Sequence, residues 1–429
     1  MKFLLPLIFI LGPLFSKPNE ESAARKIDAM VKSDLARRKL TPNPVVNDLT
    51  YLRRATLAIT GRIPSYAEIK AFEAATGETK YSDMVKRLVD SPGYENMIFN
   101  FYADLLRLRT HVDGIRNLQP YREWLHAAIK ENKPYNEMVM ELLTSTGNMH
   151  ENPATGYYFR DYGMPLDNLA LTVQVFLGTR IQCSQCHNHP TQKWKQAEFY
   201  KLASLSNTAT RANARSDEFL GEMRKNSRKT GDRNPEVLRQ VLRNQIFEPL
   251  RVRVNFRNSN VRLPHDYAYK DFKPRAMVKP SVPFGPRQKS KKERIESFAM
   301  WVVAKNNTNF SKTMVNRIWQ VMYGRGLFEP LDDLIPETVI TNKRLLTYLT
   351  KLFIEMKYDV KGFVSILAKT QLFRQEVKDK LPNVTKVANF QGPYLRRLSA
   401  EQIWDSFVYL LRGYEGDFHP YLSRVQAQN

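Results

Sequence analysis

The chain has 429 residues, of which 42% are hydrophobic and 25% are charged, and its formal net charge is +23. This composition fits a folded globular protein and excludes an intrinsically disordered chain, and the length allows roughly two to three domains with a sizeable core. So large a positive charge directs attention to anionic partners.

The first residues of the chain predict export. Met1 and Lys2 precede the apolar run FLLPLIFILGPLF, which has the length of a secretory signal and is too short for a comfortable membrane span. We expect a signal peptide over residues 1–16, a periplasmic or otherwise exported mature protein, and no transmembrane segment after the signal. In that compartment the expected partners are a redox protein or an acidic envelope polymer, and not nucleic acid.

Helical periodicity dominates the chain on both sides of a central segment. Ser65 with Glu68, and Ser399 with Gln402, also have the spacing of capping boxes. The pattern predicts helices over 19–40, 45–59, 65–72, 81–88, 94–108, 121–129, 135–143, 166–177 and 196–205, and again over 294–305, 311–323, 342–356, 361–372 and 399–411.

The central segment, residues 207–291, has a different composition. It is dense in arginine over 211–243, alternates apolar and basic residues over 250–256 in a strand pattern, and is rich in proline after residue 263. We therefore expect a mainly α fold. Its two helical lobes, residues 17–206 and 292–429, are joined by a basic linker or small β-containing insert.

The only two cysteines form one motif, Cys183-Ser184-Gln185-Cys186-His187. Two thiols at this spacing can add to the two vinyl groups of one porphyrin, and the histidine that follows can ligate the iron. The pattern predicts covalent haem c at Cys183, Cys186 and His187. Two alternatives remain open: a zinc or iron site that adds His189 to these three residues, and a local disulfide.

Residues outside the motif supply further candidates for the haem site. His189 and Trp194 follow closely and can surround a haem edge, although a lone tryptophan is more often a core anchor. The distal iron ligand is unassigned, and an open sixth position would favour ligand binding over electron transfer. The candidates are Met149, His150, Met164 and His265.

Several short sequences resemble a known pair of domains. They are YLRR at 51–54, TGRIP at 60–64, DLLR at 104–107, YREW at 121–124, QCSQCHNHP at 182–190, MVNRIW at 314–319, GRGL at 324–327, DD at 332–333 and EQIWD at 401–405. Together they resemble the planctomycete cytochrome-like domain of unknown function followed by its planctomycete-specific partner domain, over most of residues 20–411.

The resemblance implies haem and an exported location, and no settled activity. The chain departs from the family pattern at Ala58, where the family usually has aspartate. The family's partner domain generally runs well past the Glu401–Asp405 element, so an incomplete C-terminal domain is an alternative that we keep open.

The leading hypothesis is an exported c-type cytochrome-like protein that transfers electrons in the cell envelope. A non-redox envelope scaffold that binds acidic glycans is the alternative suggested by the arginine-rich stretch. A haem or metal enzyme acting on a carbohydrate-derived substrate is a third hypothesis. Asp104, Asp332 and Asp333 lack a neighbouring nucleophile. We therefore expect the Asp332-Asp333 turn to be structural, with salt bridges to Arg317 or Arg325.

Overall fold

The structure is a computed structural model, and it describes residues 18–109, 118–212, 215–231, 237–239, 252–283, 294–377 and 387–412. The signal peptide predicted over residues 1–16 lies outside these ranges. Within them, no helix combines the length and the apolar character that a membrane span requires.

Helices make up most of the described chain, so the prediction of a mainly α fold is confirmed. The part before residue 207 contains α1 (Glu20–Arg37), α2 (Asp48–Thr60), α3 (Tyr66–Ala74), α4 (Lys80–Val89), α5 (Pro92–Leu105), α6 (Gln119–Lys130), α7 (Tyr135–Thr144), α8 (Gly156–Phe159), α9 (Pro165–Leu177) and α10 (Gln196–Ala203). The part after residue 293 contains α12 (Arg294–Val302), α13 (Thr308–Tyr323), α14 (Lys343–Glu355), α15 (Val360–Ala368), α16 (Gln371–Arg374) and α17 (Ala400–Arg412).

Side-chain caps fix many of the helix starts. Both capping boxes read from the sequence are present: Ser65 and Glu68 bond each other's backbone at the start of α3. Ser399 and Gln402 do the same before α17, at 3.2 Å in both directions. Such caps satisfy amide groups that have no partner inside the helix.

The central segment contains the small amount of β-structure that was predicted. Strand β1 (Thr208–Ala212) pairs antiparallel with β2 (Val252–Phe256), and β3 (Val261–Arg262) pairs antiparallel with β4 (Met277–Val278). Between β1 and β2 lies α11 (Arg215–Thr230), which the sequence reading did not predict. Lysine and arginine are good helix formers, but the helix has few apolar residues to reveal its period.

The helices before and after the central segment pack into one hydrophobic core. The ring of Tyr135 in α7 stacks on Phe310 in α13 with 4.9 Å between centroids. The hydroxyl of Tyr51 in α2 donates to the carbonyl of Ala368 in α15 at 3.0 Å. The two halves of the chain therefore depend on each other for burial of their apolar faces.

Candidate functional site

The cysteine motif lies on one tight turn after α9. Residues Gln182–Gln185 form a 3-10 helix. The Cys183 carbonyl accepts hydrogen bonds from the amides of Cys186 at 3.2 Å and His187 at 3.1 Å. Both cysteine side chains are exposed and free, so no disulfide joins them. The turn thus presents two thiols to solvent, with the histidine one residue beyond.

The His187 side chain is exposed, and a hydrogen bond sets its tautomer. Its Nδ1 lies 2.7 Å from the carbonyl oxygen of Asn188. Because a carbonyl oxygen only accepts, Nδ1 carries the proton and donates, which leaves Nε2 with a free lone pair. This is the tautomer that ligates a metal through Nε2.

His189 has the opposite arrangement. Its Nδ1 accepts hydrogen bonds from the amides of Thr191 at 3.3 Å and Gln192 at 3.1 Å, and its own amide donates to the Trp194 carbonyl at 2.8 Å. The neutral ring therefore carries its proton on Nε2. In this structure His189 holds the turn, and the half-buried Trp194 packs against the hydrophobic core.

The four ligands of the alternative zinc or iron site are not gathered. In the described part of the chain, no group of three or more His, Cys, Asp or Glu side chains is placed to hold a metal ion. His189 also offers no free lone pair to a metal, because its Nδ1 accepts two backbone hydrogen bonds and its Nε2 carries the proton.

Gln196, ten positions after Cys186, and Tyr269 of the central segment hold the motif in place. The side-chain amide of Gln196 donates to the carbonyls of Cys186 at 2.9 Å and Gln185 at 3.3 Å. The backbone amide of Gln196 donates to Asn188 Oδ1 at 2.9 Å. The backbone amide of Asn188 donates to the Tyr269 hydroxyl at 2.7 Å. Sequence reasoning missed Gln196 and Tyr269. For Gln196, the one signal in the sequence was its position as a polar residue at the start of an amphipathic helix. That its side chain is buried is known only from the fold.

An acidic turn from the second half of the chain also docks on the motif segment. Asp332 accepts hydrogen bonds from Arg180, at 2.6 Å, and from Gln174. Asp333 accepts one from Gln192 at 3.2 Å. Burial alone raises the pKa of Asp332, but the bonds from Arg180 and Gln174 outweigh it, so the pKa lies below its usual range.

The predicted ion-pair partner of Asp332 was wrong, although the structural role predicted for the Asp332-Asp333 turn fits the structure. The ion pair forms with Arg180, whereas the buried Arg317 donates to the carbonyls of Gln174 and Val175. Arg180 is 152 positions from Asp332 in sequence. A nearby arginine was therefore the natural expectation, and only the fold reveals the distant one.

The structure separates the four distal-ligand candidates. Met149 is fully buried in the hydrophobic core, and His150 beside it is exposed. Met164 lies just before the start of α9. The motif begins near the other end of this helix, where the Gln182 side chain donates to the Gln174 side chain at 2.7 Å. Gln174 lies ten positions after Met164, which is about 15 Å along the helix axis.

His265 belongs to a segment that reaches the motif. This segment includes Tyr269, whose hydroxyl accepts the hydrogen bond from the Asn188 amide. Burial raises the pKa of Tyr200, and the nearby Cys186 and Asp266 raise it further. Asp266, the residue after His265, therefore contributes to the electrostatic surroundings of Tyr200, as Cys186 does. Of the four candidates, His265 is the one whose chain segment the structure places at the motif.

A second group of carboxylates consists of Asp104 in α5 with Glu401 and Asp405 in α17. Partial burial raises the pKa of Asp104, and the neighbouring Glu401 raises it further. Burial, again with Glu401, raises the pKa of Asp405 to about 6. The sequence analysis found no nucleophile near Asp104. The structure brings Asp104 of α5 towards Glu401 of α17.

The comparisons identify two domains of unknown function. Residues 26–211 match the family PSCyt2, described as a protein of unknown function (DUF1549). Residues 294–415 match the family PSD1, described as a protein of unknown function (DUF1553). No curated protein and no solved structure matches the chain. The first match contains the cysteine motif and the second contains the acidic turn that docks on it.

Proposed function

The chain joins a PSCyt2 domain to a PSD1 domain, and on this premise we propose that it is an exported c-type cytochrome-like protein that transfers electrons between partners in the cell envelope. The supporting observation is the state of the motif. Two free, exposed thiols and a histidine with an available Nε2 lie on a single turn. This donor set fits covalent haem.

Each residue of the motif has a defined task in the proposal. Cys183 and Cys186 hold the porphyrin, and His187 binds iron through Nε2. The haem, when bound, supplies the one-electron chemistry. The Asn188 carbonyl orients the His187 ring and makes it a stronger donor by accepting the Nδ1–H bond. Gln196 holds the backbone of the turn, so the three side chains keep their relative positions.

The charge of the chain supports an acidic electron-transfer partner. A net charge of +23 attracts an acidic protein over long range and raises the rate of encounter. Salt weakens such attraction because the screening length falls to about 8 Å at physiological ionic strength. The rate of reduction by an acidic partner should therefore decrease as salt is added.

Haem staining tests the proposal directly. We would express the chain with a bacterial haem maturation system and look for haem that stays with the protein after denaturation. Cys183→Ala with Cys186→Ala should abolish the stained band. Ser184→Ala is the matched control, because the Ser184 hydroxyl is buried without a hydrogen-bond partner in the described structure. Free or metal-bound thiols in wild-type protein, with no covalent haem, would refute the proposal.

A second candidate function, binding of acidic envelope glycans, is favoured by α11. This helix exposes Arg224, Lys225, Arg228 and Lys229. Changing these four residues to glutamine should abolish salt-sensitive retention on a sulfated polysaccharide column, and Cys183→Ala should leave retention intact. Equal retention of the four-residue variant would show that the helix is only a solvated basic surface.

A further inference from the structure

A cavity of about 350 Å³ lies away from the cysteine motif, between α2, the end of α13 and the segment before α17. Its walls are mainly apolar and include Leu57, Met322 and Leu398. Three arginines also line it: Arg53, Arg54 and Arg396. A volume of this size is typical of small-molecule sites, which combine apolar walls with a few convergent polar groups.

The charged side chains that the structure places in the wall are arginines. The described residues that line the cavity include no aspartate or glutamate. Burial lowers the pKa of Arg396 and of Arg54, as expected for cations in apolar surroundings. Arg54 is fixed by two hydrogen bonds of 2.6 Å, to the carbonyls of Phe373 and Gln375. Its guanidinium is therefore preorganised at the edge of the cavity.

The apolar wall continues beyond the arginines. A second, wholly apolar cavity of only about 20 Å³ shares Ala58 and Met322 with the first one and is bordered by Met97, Ile98 and Phe101. The apolar body of a ligand whose charged group lies at the arginines therefore has its room in the 350 Å³ cavity, along Leu57, Ala58 and Met322. Guanidinium groups match the planar or tetrahedral oxygens of carboxylate, phosphate and sulfate.

We propose that this cavity binds a small organic anion with an apolar body, whose anionic group is held by Arg53, Arg54 and Arg396. The three arginines line one cavity and come from α2 and from the segment before α17, so the site exists only in the folded two-domain chain. The proposal does not depend on haem, because the cavity and the cysteine motif share no residue.

Calorimetric titration of the full chain tests the site. The probes are decanoate, decyl phosphate, inorganic phosphate and the uncharged 1-decanol. Decanoate or decyl phosphate should bind at least tenfold more tightly than both decanol and inorganic phosphate, since each of these lacks one of the two features. The stronger of the two amphiphiles identifies the anionic group. Within a series of shorter carboxylates, affinity should fall by up to about fourfold for each methylene removed.

Arg396→Gln should weaken binding of the preferred amphiphile at least tenfold. Arg397→Gln is the matched control, because Arg397 is the next residue, is exposed and does not line the cavity. Arg53→Gln should act as Arg396→Gln does, and a thermal unfolding scan confirms that each variant is folded. Equal losses in the Arg396 and Arg397 variants, equal binding of decanol, or no binding by wild-type protein would overturn the proposal.

Discussion

His187 and His189 stand two positions apart, and their Nδ1 atoms have opposite roles. The Nδ1 of His187 donates to a carbonyl, and the Nδ1 of His189 accepts from two backbone amides. We predict that His187→Ala, in haem-loaded protein, abolishes the low-spin optical spectrum although thioether attachment remains chemically possible. His189→Ala should preserve the spectrum and lower the free energy of unfolding by about 1 kcal/mol, through loss of the turn's hydrogen bonds.

Optical spectra and urea unfolding of both variants provide the two readouts. If both substitutions remove a bound metal to the same extent, and no porphyrin absorbance is seen in wild-type protein, a site built from Cys183, Cys186 and both histidines is the better account. In that case the His189 ring must turn away from the amides of Thr191 and Gln192.

Asp405 gives the stability of the protein a pH dependence. Its pKa is raised to about 6 in the folded chain by burial, with Glu401 adding to the effect. The folded state therefore favours the protonated acid. The favourable contribution is complete below the unfolded pKa of about 4 and is lost as pH rises through about 6.

We predict that Asp405→Asn stabilises the protein at pH 7 by on the order of 1 kcal/mol, after allowance for the partial exposure of the group. The variant should also show a smaller loss of stability between pH 4 and pH 6. Urea unfolding across this range measures both effects. The matched control is Glu78→Gln, at an exposed position. A wild-type slope retained in the Asp405 variant would assign the pH dependence to other groups.

At the scale of elements, Gly178 links α9 to α13. It ends α9 in the left-handed conformation, with φ of 58°. A Cβ at this position would lie 2.6 Å from Thr313 Oγ1. Gly163 also has a positive φ, 77°, but a Cβ there would meet nothing within 4 Å. Alanine substitutions at the two glycines therefore distinguish backbone strain, present at both, from steric conflict between α9 and α13, present only at Gly178.

We predict that Gly163→Ala costs about 1 kcal/mol of unfolding free energy, the strain of a left-handed alanine. Gly178→Ala should cost about 1–3 kcal/mol more, because the added methyl group pushes against Thr313. Denaturant unfolding of both variants measures the difference, and Thr313→Ala should recover part of it. Equal costs at the two glycines would mean that α9 and α13 separate easily.

Local signals account for the elements that the sequence predicted. The caps at Ser65 and Ser399 lie within three residues of their partners, so a linear pattern reveals them. The helix predicted over 361–372 is instead divided into α15 and α16. Asp28 in α1 accepts hydrogen bonds from the Gln371 and Leu372 amides at 2.8 and 3.0 Å. That carboxylate is more than 340 positions away, and no local pattern indicates it.

The candidate site divides in the same way. Cys183, Cys186 and His187 are contiguous, so their chemistry is legible in the sequence. The residues that fix their geometry come from elsewhere: Gln196 from α10, Tyr269 from the central segment and Asp332 from the PSD1 domain. The location of Met149 also could not be predicted from the sequence, because this methionine lies in a predicted loop and is nevertheless buried in the hydrophobic core.

At the scale of the whole molecule, the two domains share their interior. Tyr135 stacks on Phe310 across the domain boundary, and the Lys369 ammonium lies 2.8 Å from a Glu20 carboxylate oxygen. Asp332 adds a further contact at the motif. An isolated first domain would expose the apolar faces of α1, α7 and α9 to water, at about 25 cal/mol for each Å² of apolar surface.

We therefore predict that residues 18–283, expressed alone, do not unfold cooperatively, and that addition of residues 294–429 restores a cooperative transition. The intact chain should unfold in one step, with far-ultraviolet circular dichroism and tryptophan fluorescence giving the same midpoint in urea. A first fragment that unfolds cooperatively by itself, at the midpoint of the intact chain, would show that the shared core adds nothing to its stability.

The covalent haem test could then be carried out on that fragment. If the shared core is essential, haem attachment at Cys183 and Cys186 in the fragment should be lost together with its fold, even though the motif itself is intact.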